Sequence, residues 1–127
     1  MSRPRIHLAL LIAAGTTGAC AQPNTATPTT GLSGVVVRGP VTPVCRIDVP
    51  CDAPFSAGFT VASSGREVAR FRSDTDGRFT VFLLPGVYRV VPDGDAPIIA
   101  PAAQAKTVEV MNAGLTIVRL EFDTGIR

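Results

Sequence analysis

From Gly31 onward, short apolar runs alternate internally with polar residues, and each run stops at a turn-forming residue. Leu32–Arg38 opens the series with Val35, Val36 and Val37. In Arg66–Arg72, Ala69 and Phe71 fall on one face and Val68, Arg70 and Arg72 on the other. In Arg78–Leu83, Phe79, Val81 and Leu83 alternate with Arg78, Thr80 and Phe82. In Val87–Pro92, Tyr88 and Val90 lie opposite Val87, Arg89 and Val91. Ala57–Ser63, Lys106–Met111 and Leu115–Asp123 bring the candidates to seven. A period of two places successive side chains on opposite faces of a sheet, and a repeat of roughly 8–12 residues is that of short linked strands. Gly65, Gly77, Gly86 and Gly114 stand where tight turns need a positive φ. Beyond the N-terminal segment no window carries a helical stripe. The pattern predicts an all-β fold, a seven-stranded antiparallel two-sheet sandwich over residues 31–127. About 100 residues can bury a sufficient core without a metal.

Two segments of different texture precede it. In residues 1–19, Arg3 and Arg5 are followed by the apolar run Ile6–Ala14, broken only by His7, and then by small residues leading to Cys20. The run falls short of the roughly 20 residues a helix needs to cross a bilayer, and it fits a cleaved secretory signal better than a buried N-terminal helix. Thr17-Gly18-Ala19-Cys20 resembles the lipobox of bacterial lipoproteins, with Thr17 where an aliphatic residue is usual. That resemblance implies cleavage before Cys20 and a lipid on its thiol. Ala19-Cys20-Ala21 also satisfies an ordinary small-x-small site, with release after Ala21. Residues 20–30 are uncharged and rich in Pro and Thr, the composition of a disordered linker; ten residues extended reach about 33 Å.

Loss of the signal changes the electrostatics. The formal net charge of +2 resides in Arg3 and Arg5, and the remainder carries ten basic residues against ten acidic ones. No stretch concentrates one sign, and only Tyr88 and six Phe supply aromatics, so the basic patch with stacking groups that nucleic acid requires is missing. With Cys20 assigned to lipid, Cys45 and Cys51 remain as a pair, and in an oxidising compartment a disulfide is the default. Its short loop is worth about 2.4 kcal/mol by chain entropy. Redox-active pairs are usually Cys-x-x-Cys, which this spacing is not.

The phrase Ser73-Asp74-Thr75-Asp76-Gly77-Arg78-Phe79, followed by Leu84-Pro85-Gly86-Val87-Tyr88, resembles the carboxypeptidase regulatory-like domains, which belong to the transthyretin-like sandwiches. Gly34-Val35 and Gly65-Arg66-Glu67-Val68 also fall where that family's pattern expects them, and the likeness covers about Leu32 to Phe122. It implies a transthyretin-like arrangement of the two sheets and an accessory, adhesive or spacing role without catalysis. Physically, Asp74 or Asp76 is expected to close the turn, Gly77 to take the strained dihedral, and Phe79 to be the first inward side chain. Tyr88 should bury its ring and find a partner for its hydroxyl near a sandwich end.

Candidate chemistry is sparse. The only histidine, His7, leaves with the signal, taking the usual general base and commonest metal ligand with it. Asp74 with Asp76, and Asp93 with Asp95, are too few oxygens for calcium, so turn formation accounts for them. No metal or cofactor site is expected, and no enzyme activity. The uncharged loop Ala96–Ala103 carries Ile98 and Ile99, which either cap an open sandwich end or present an apolar contact patch. An interaction surface is expected to be apolar and loop-borne, and the Pro-rich loop around Cys45–Cys51, stiffened by proline and the bridge, would bind at low entropic cost. The sequence thus leads to a non-catalytic module of the bacterial cell envelope, in the outer membrane or periplasm. It is held to the membrane through Cys20 and has an envelope protein or glycan as its partner. The alternative is a soluble periplasmic β-sandwich that binds carbohydrate or peptide.

Overall fold

The computed structural model describes residues 28–127. The expected signal segment, Cys20 and the expected linker as far as Thr27 lie outside the described residues. The described chain forms β1 (Gly31–Gly39), β2 (Ala53–Pro54), β3 (Gly58–Ser63), β4 (Arg66–Arg72), β5 (Arg78–Phe82), β6 (Gly86–Pro92), β7 (Lys106–Val110) and β8 (Leu115–Asp123), with one 3-10 turn at Pro101–Gln104.

β1 is the spine of the first sheet. β8 runs beside it in register from Gly31↔Leu115 to Gly39↔Asp123. On its other side β5 pairs antiparallel with Gly31–Val35, and β2 with Val37 and Arg38. The second sheet is antiparallel in the order β4-β3-β6-β7. The expected all-β, two-sheet organisation is therefore present, with two corrections. The β1–β8 pair is parallel, and an eighth, two-residue strand, β2, stands beside the seven longer ones. Alternation specifies which face a side chain takes and is silent on strand direction. The whole domain separates β1 from β8, which leaves ample chain for a parallel return. A two-residue pairing that includes Pro54 has no period to read.

The faces follow the alternation. Leu32, Val36, Phe59, Val61 and Val90 are wholly buried, while Phe82 and Ile117 point outward. Five of the six Phe form one chain through the core. Phe79 stacks on Phe71 at 4.4 Å, Phe71 on Phe59 at 5.0 Å, and Phe59 meets Phe122 at 5.7 Å and Phe55 at 6.2 Å. Lys106, the chain's only lysine, places its Nζ 5.3 Å above the Phe122 ring, so it closes the aromatic chain with a cation–π contact.

The turn phrase behaves as its chemistry predicts. Asp74, rather than Asp76, closes the turn, its Oδ1 accepting from the amides of Asp76 and Arg78 at 2.9 Å each. Gly77 sits at φ 72°, and a Cβ there would run into the Val36 carbonyl oxygen. Its own carbonyl accepts the Val36 amide at 2.8 Å, which fastens the turn to β1. Buried Ser73 donates to Phe55 O at 2.8 Å and accepts from Ala57 N at 3.0 Å, satisfying backbone where the chain changes sheets. Tyr88 is buried, and its hydroxyl donates to Leu84 O at 2.5 Å.

The registers define two ends. At one, Gly31 meets Phe82 and Leu115, Gly86 meets Val110, and Ser63 meets Arg66. This is the end where Pro28 joins the domain. The opposite end carries the loop Pro40–Asp52, the turn Ser73–Gly77, the loop Asp93–Ala105 and the C-terminal residues Thr124–Arg127.

Candidate functional site

Two apolar, proline-bearing loops share the end remote from Pro28, and they are held in different ways. In the Pro40–Asp52 loop the base is fixed to the sandwich. Thr124 donates its hydroxyl to Pro40 O at 2.6 Å and its amide to Gly39 O at 3.1 Å. Across the neck, Val41 N donates to Cys51 O at 2.8 Å. Below it Arg119 bonds Asp52 at 2.6 Å and Glu121 at 3.0 Å. The two acidic neighbours raise the Arg119 pKa above its ordinary value, the Glu121 hydrogen bond contributing most.

Above the neck the tip is held by its own contacts. Cys45 and Cys51 form the expected disulfide with their Cα atoms 5.5 Å apart. Thr42 Oγ1 donates to Val44 O at 2.9 Å and Val49 N to Arg46 O at 3.3 Å. Asp48 adopts φ 63°, a left-handed conformation that aspartate tolerates better than most residues. This short, cross-linked frame turns three aliphatic side chains to solvent: Val44 is 72% exposed, Ile47 91% and Val49 57%. A shallow concavity of about 480 Å³ lies inside the loop, lined by Thr42, Pro43, Val44, Arg46, Val49 and the disulfide. Arg46 is the one ionised side chain in that lining, and the rest of it is apolar apart from Thr42. Both sulfurs are consumed by the bridge. The exposed aliphatic side chains give the loop an apolar contact surface.

The Asp93–Ala105 loop holds Ile98 and Ile99, and the structure divides the pair. Ile98 is 9% exposed and, with Ala96, belongs to the core cluster, so it caps the sandwich end and is withdrawn from contact with a partner. Ile99 is half exposed and lies against the C-terminal backbone: a Cβ on Gly125 would stand 2.8 Å from Ile99 Cδ1. Gln104 clamps this loop to β8 with both ends of its amide. Nε2 donates to Asp123 O at 2.9 Å and to Ile99 O at 2.5 Å, and Oε1 accepts from Asp123 N at 2.7 Å. Ile99 N adds a bond to Asp123 O at 3.0 Å, and Arg38 one to Pro97 O at 3.2 Å. Asp93 bonds Arg70 at 2.9 Å. Cys20, the remaining sequence-predicted site, lies outside the described residues.

Sequence reasoning points to the Pro-rich loop around Cys45–Cys51 without singling out Val44, Ile47 and Val49 in it. Their signal is three branched aliphatics between prolines, in a stretch with no turn-separated partner run. Gln104 left no comparable mark, because its role depends on a strand 19 residues away.

Comparison with models of known protein families and with curated proteins gave no match. The likeness to carboxypeptidase regulatory-like domains therefore stands on the Ser73–Phe79 and Leu84–Tyr88 phrases. The disulfide is compatible with an exported protein.

Proposed function

We propose that the protein is a non-catalytic cell-envelope module of the carboxypeptidase regulatory-like, transthyretin-like type. It is tethered by a lipid on Cys20 and offers its Cys45–Cys51 loop to an envelope protein. The observation that carries this reading is the exposure of Val44, Ile47 and Val49 on a cross-linked loop at the end opposite Pro28. A lone domain gains by hiding such side chains, and a rigid loop loses little conformational entropy when a partner covers it. The partner is a protein rather than a glycan, because the tip carries aliphatic groups and no aromatic ring on which a sugar could stack. The tether accounts for the chain's direction, with the linker joining one end and the loop displayed at the other.

Photo-crosslinking from position 47 in intact cells tests it, with Ile47→Asp and Ile99→Asp compared by co-purification. Loss of the partner in the first variant alone, with an unchanged melting temperature, is the expected result. Equal retention in both removes the loop as a site. Cys20→Ala should move the protein from membranes to the soluble periplasm, and wild-type protein already soluble and starting at Gln22 would refute the anchor.

A further inference from the structure

The exposed large apolar side chains among the described residues fall into distinct groups. Val44, Ile47 and Val49 belong to the disulfide loop, and Ile99 lies against Gly125. The others collect around the end where Pro28 joins. Leu84 and Met111 stand on the β5–β6 and β7–β8 turns, and Phe82, Leu115 and Ile117 lie on the outer face of the first sheet. The registers bring the last three together: Phe82 and Leu115 flank Gly31 in one row, and Ile117 lies beside Ser33, two residues further along β1. Val87 and Val68 are exposed on the second sheet, each among charged neighbours, Val87 paired with Glu109 and Val68 next to Glu67.

Charge is distributed the other way. The connections at this end, Ser64-Gly65, Leu83-Leu84-Pro85 and Met111-Asn112-Ala113-Gly114, contain no ionisable side chain. The charged groups near this end, Arg66, Glu67 and Glu109, stand on the second sheet, behind its turns, and Glu67 leans back to Arg70 at 3.6 Å. The remote end holds Asp48, Asp52, Asp74, Asp93, Asp123 and Arg127, among others. A surface that meets hydrocarbon must be free of unpaired charge, because each buried ion is costly, whereas turn tips bearing Leu, Met and Phe partition readily into the headgroup boundary.

We infer that the uncharged turn tips of this end, with the adjoining apolar outer face of the first sheet, form a lipid-facing surface that rests in the headgroup region of the bilayer. The assignment deepens the tethered-module reading and rests on it for the tether. Eight residue steps separate Cys20 from Pro28, a maximum span of about 26 Å. A domain on so short a leash meets the membrane at a high effective concentration, so a weak apolar contact suffices to orient it. The apolar residues stand on turn tips and outer strand faces and thus surround the end, which suits a deformable bilayer better than a rigid partner. Orientation follows: with Leu84 and Met111 at the membrane, the disulfide loop points away from it.

The chain contains no Trp, which allows a single-reporter test. Full-length Leu84→Trp and Ile47→Trp are placed in vesicles of phosphatidylethanolamine and phosphatidylglycerol carrying brominated acyl chains. Both positions are exposed, and unchanged melting temperatures verify the folds. Leu84→Trp should shift to the blue and lose roughly half its emission, as a group several ångströms inside the boundary would, while Ile47→Trp keeps its own. The same vesicles are then added to both proteins carrying Cys20→Ala. Quenching confined to position 84, in either form, supports the surface and does so even if Cys20 proves unmodified by intact mass. An unquenched position 84 in both forms, or equal quenching at positions 47 and 84, overturns it.

Discussion

The Pro40–Asp52 and Asp93–Ala105 loops are alike in composition, and they sit at the same end of the sandwich. Each is rich in proline and carries branched aliphatic residues, yet one exposes Ile47 and the other buries Ile98. The difference is where each loop finds its hydrogen-bond partners. Gln104, Arg38 and the Ile99 amide tie the second loop to β1 and β8, which presses Ala96 and Ile98 onto the open core. The first is bonded to the sandwich only up to its neck, and above it the backbone bonds and the disulfide are local. A clamp to the sheet turns a loop into core, while a local cross-link makes it a free-standing, ordered projection. Apolar composition alone does not distinguish a lid from a contact surface.

The largest effect should come from applying one substitution to both loops. Ile98→Ser removes a core side chain and leaves a hydroxyl in an apolar site, for a loss of about 3 kcal/mol. Ile47→Ser acts on a side chain already 91% in water and should stay within about 0.5 kcal/mol of wild type. Denaturant unfolding measures both. Similar losses would mean that the disulfide loop folds down onto the domain, and the contrast between the loops would disappear.

A second comparison exchanges the fastenings. Removing the bridge by Cys45→Ser with Cys51→Ser should lower stability by at most about 2.4 kcal/mol, since the loop it closes is short. Gln104→Ala should cost about 1–2 kcal/mol through weakened bonds to the Asp123 backbone. Hydrogen exchange separates the two: the first variant should accelerate amides of residues 42–50 alone, the second those of Ile99 and Asp123. Exchange that spreads from the disulfide variant into β1 and β8 would show that the bridge holds the fold and not merely the tip.

How much of this was legible in the sequence follows from the range of each interaction. β4 and β8 coincide with their predicted bounds, because alternation is a local signal and both strands end at turns. The turn of Phe82 away from the face of Phe79 and Val81 was readable for the same reason. Parallel pairing of β1 with β8 was not, nor was β2, since neither leaves a trace in local periodicity. At the remote end, the Cys45–Cys51 bond was legible from parity. Local sequence does not decide between cap and patch for Ile98 and Ile99, because Gln104 settles it and its partner Asp123 is distant in sequence. Asp74 and Asp76 were equal candidates for the turn until Arg78 N showed which carboxylate reaches both amides.

The smallest effect concerns the cover over Ile99 and separates the loops by pH. Asp123 is held at about 2, below its usual 3.8, chiefly by the Arg127 hydrogen bonds and then by the Gly125 amide at 2.7 Å. The same pairing raises the Arg127 pKa. A carboxylate depressed in the folded state stabilises it fully above its unfolded pKa, and that contribution is lost as pH falls from about 4 towards 2. Protonation should release Arg127 and Gly125, so the residue that covers Ile99 loosens while the Gln104 clamp, which uses Asp123 backbone atoms, persists. Amide shifts followed between pH 6 and 2 should show Gly125 titrating at the acid limit, with Ile99 N following weakly. Asp123→Asn keeps an acceptor for Gly125 and removes the charge, so its Gly125 amide should be flat over the same range. A midpoint near 4 in the wild type would mean that the terminus is not clipped in solution. Ile99 would then be open to solvent on both sides, and the two loops would differ less than their hydrogen bonds imply.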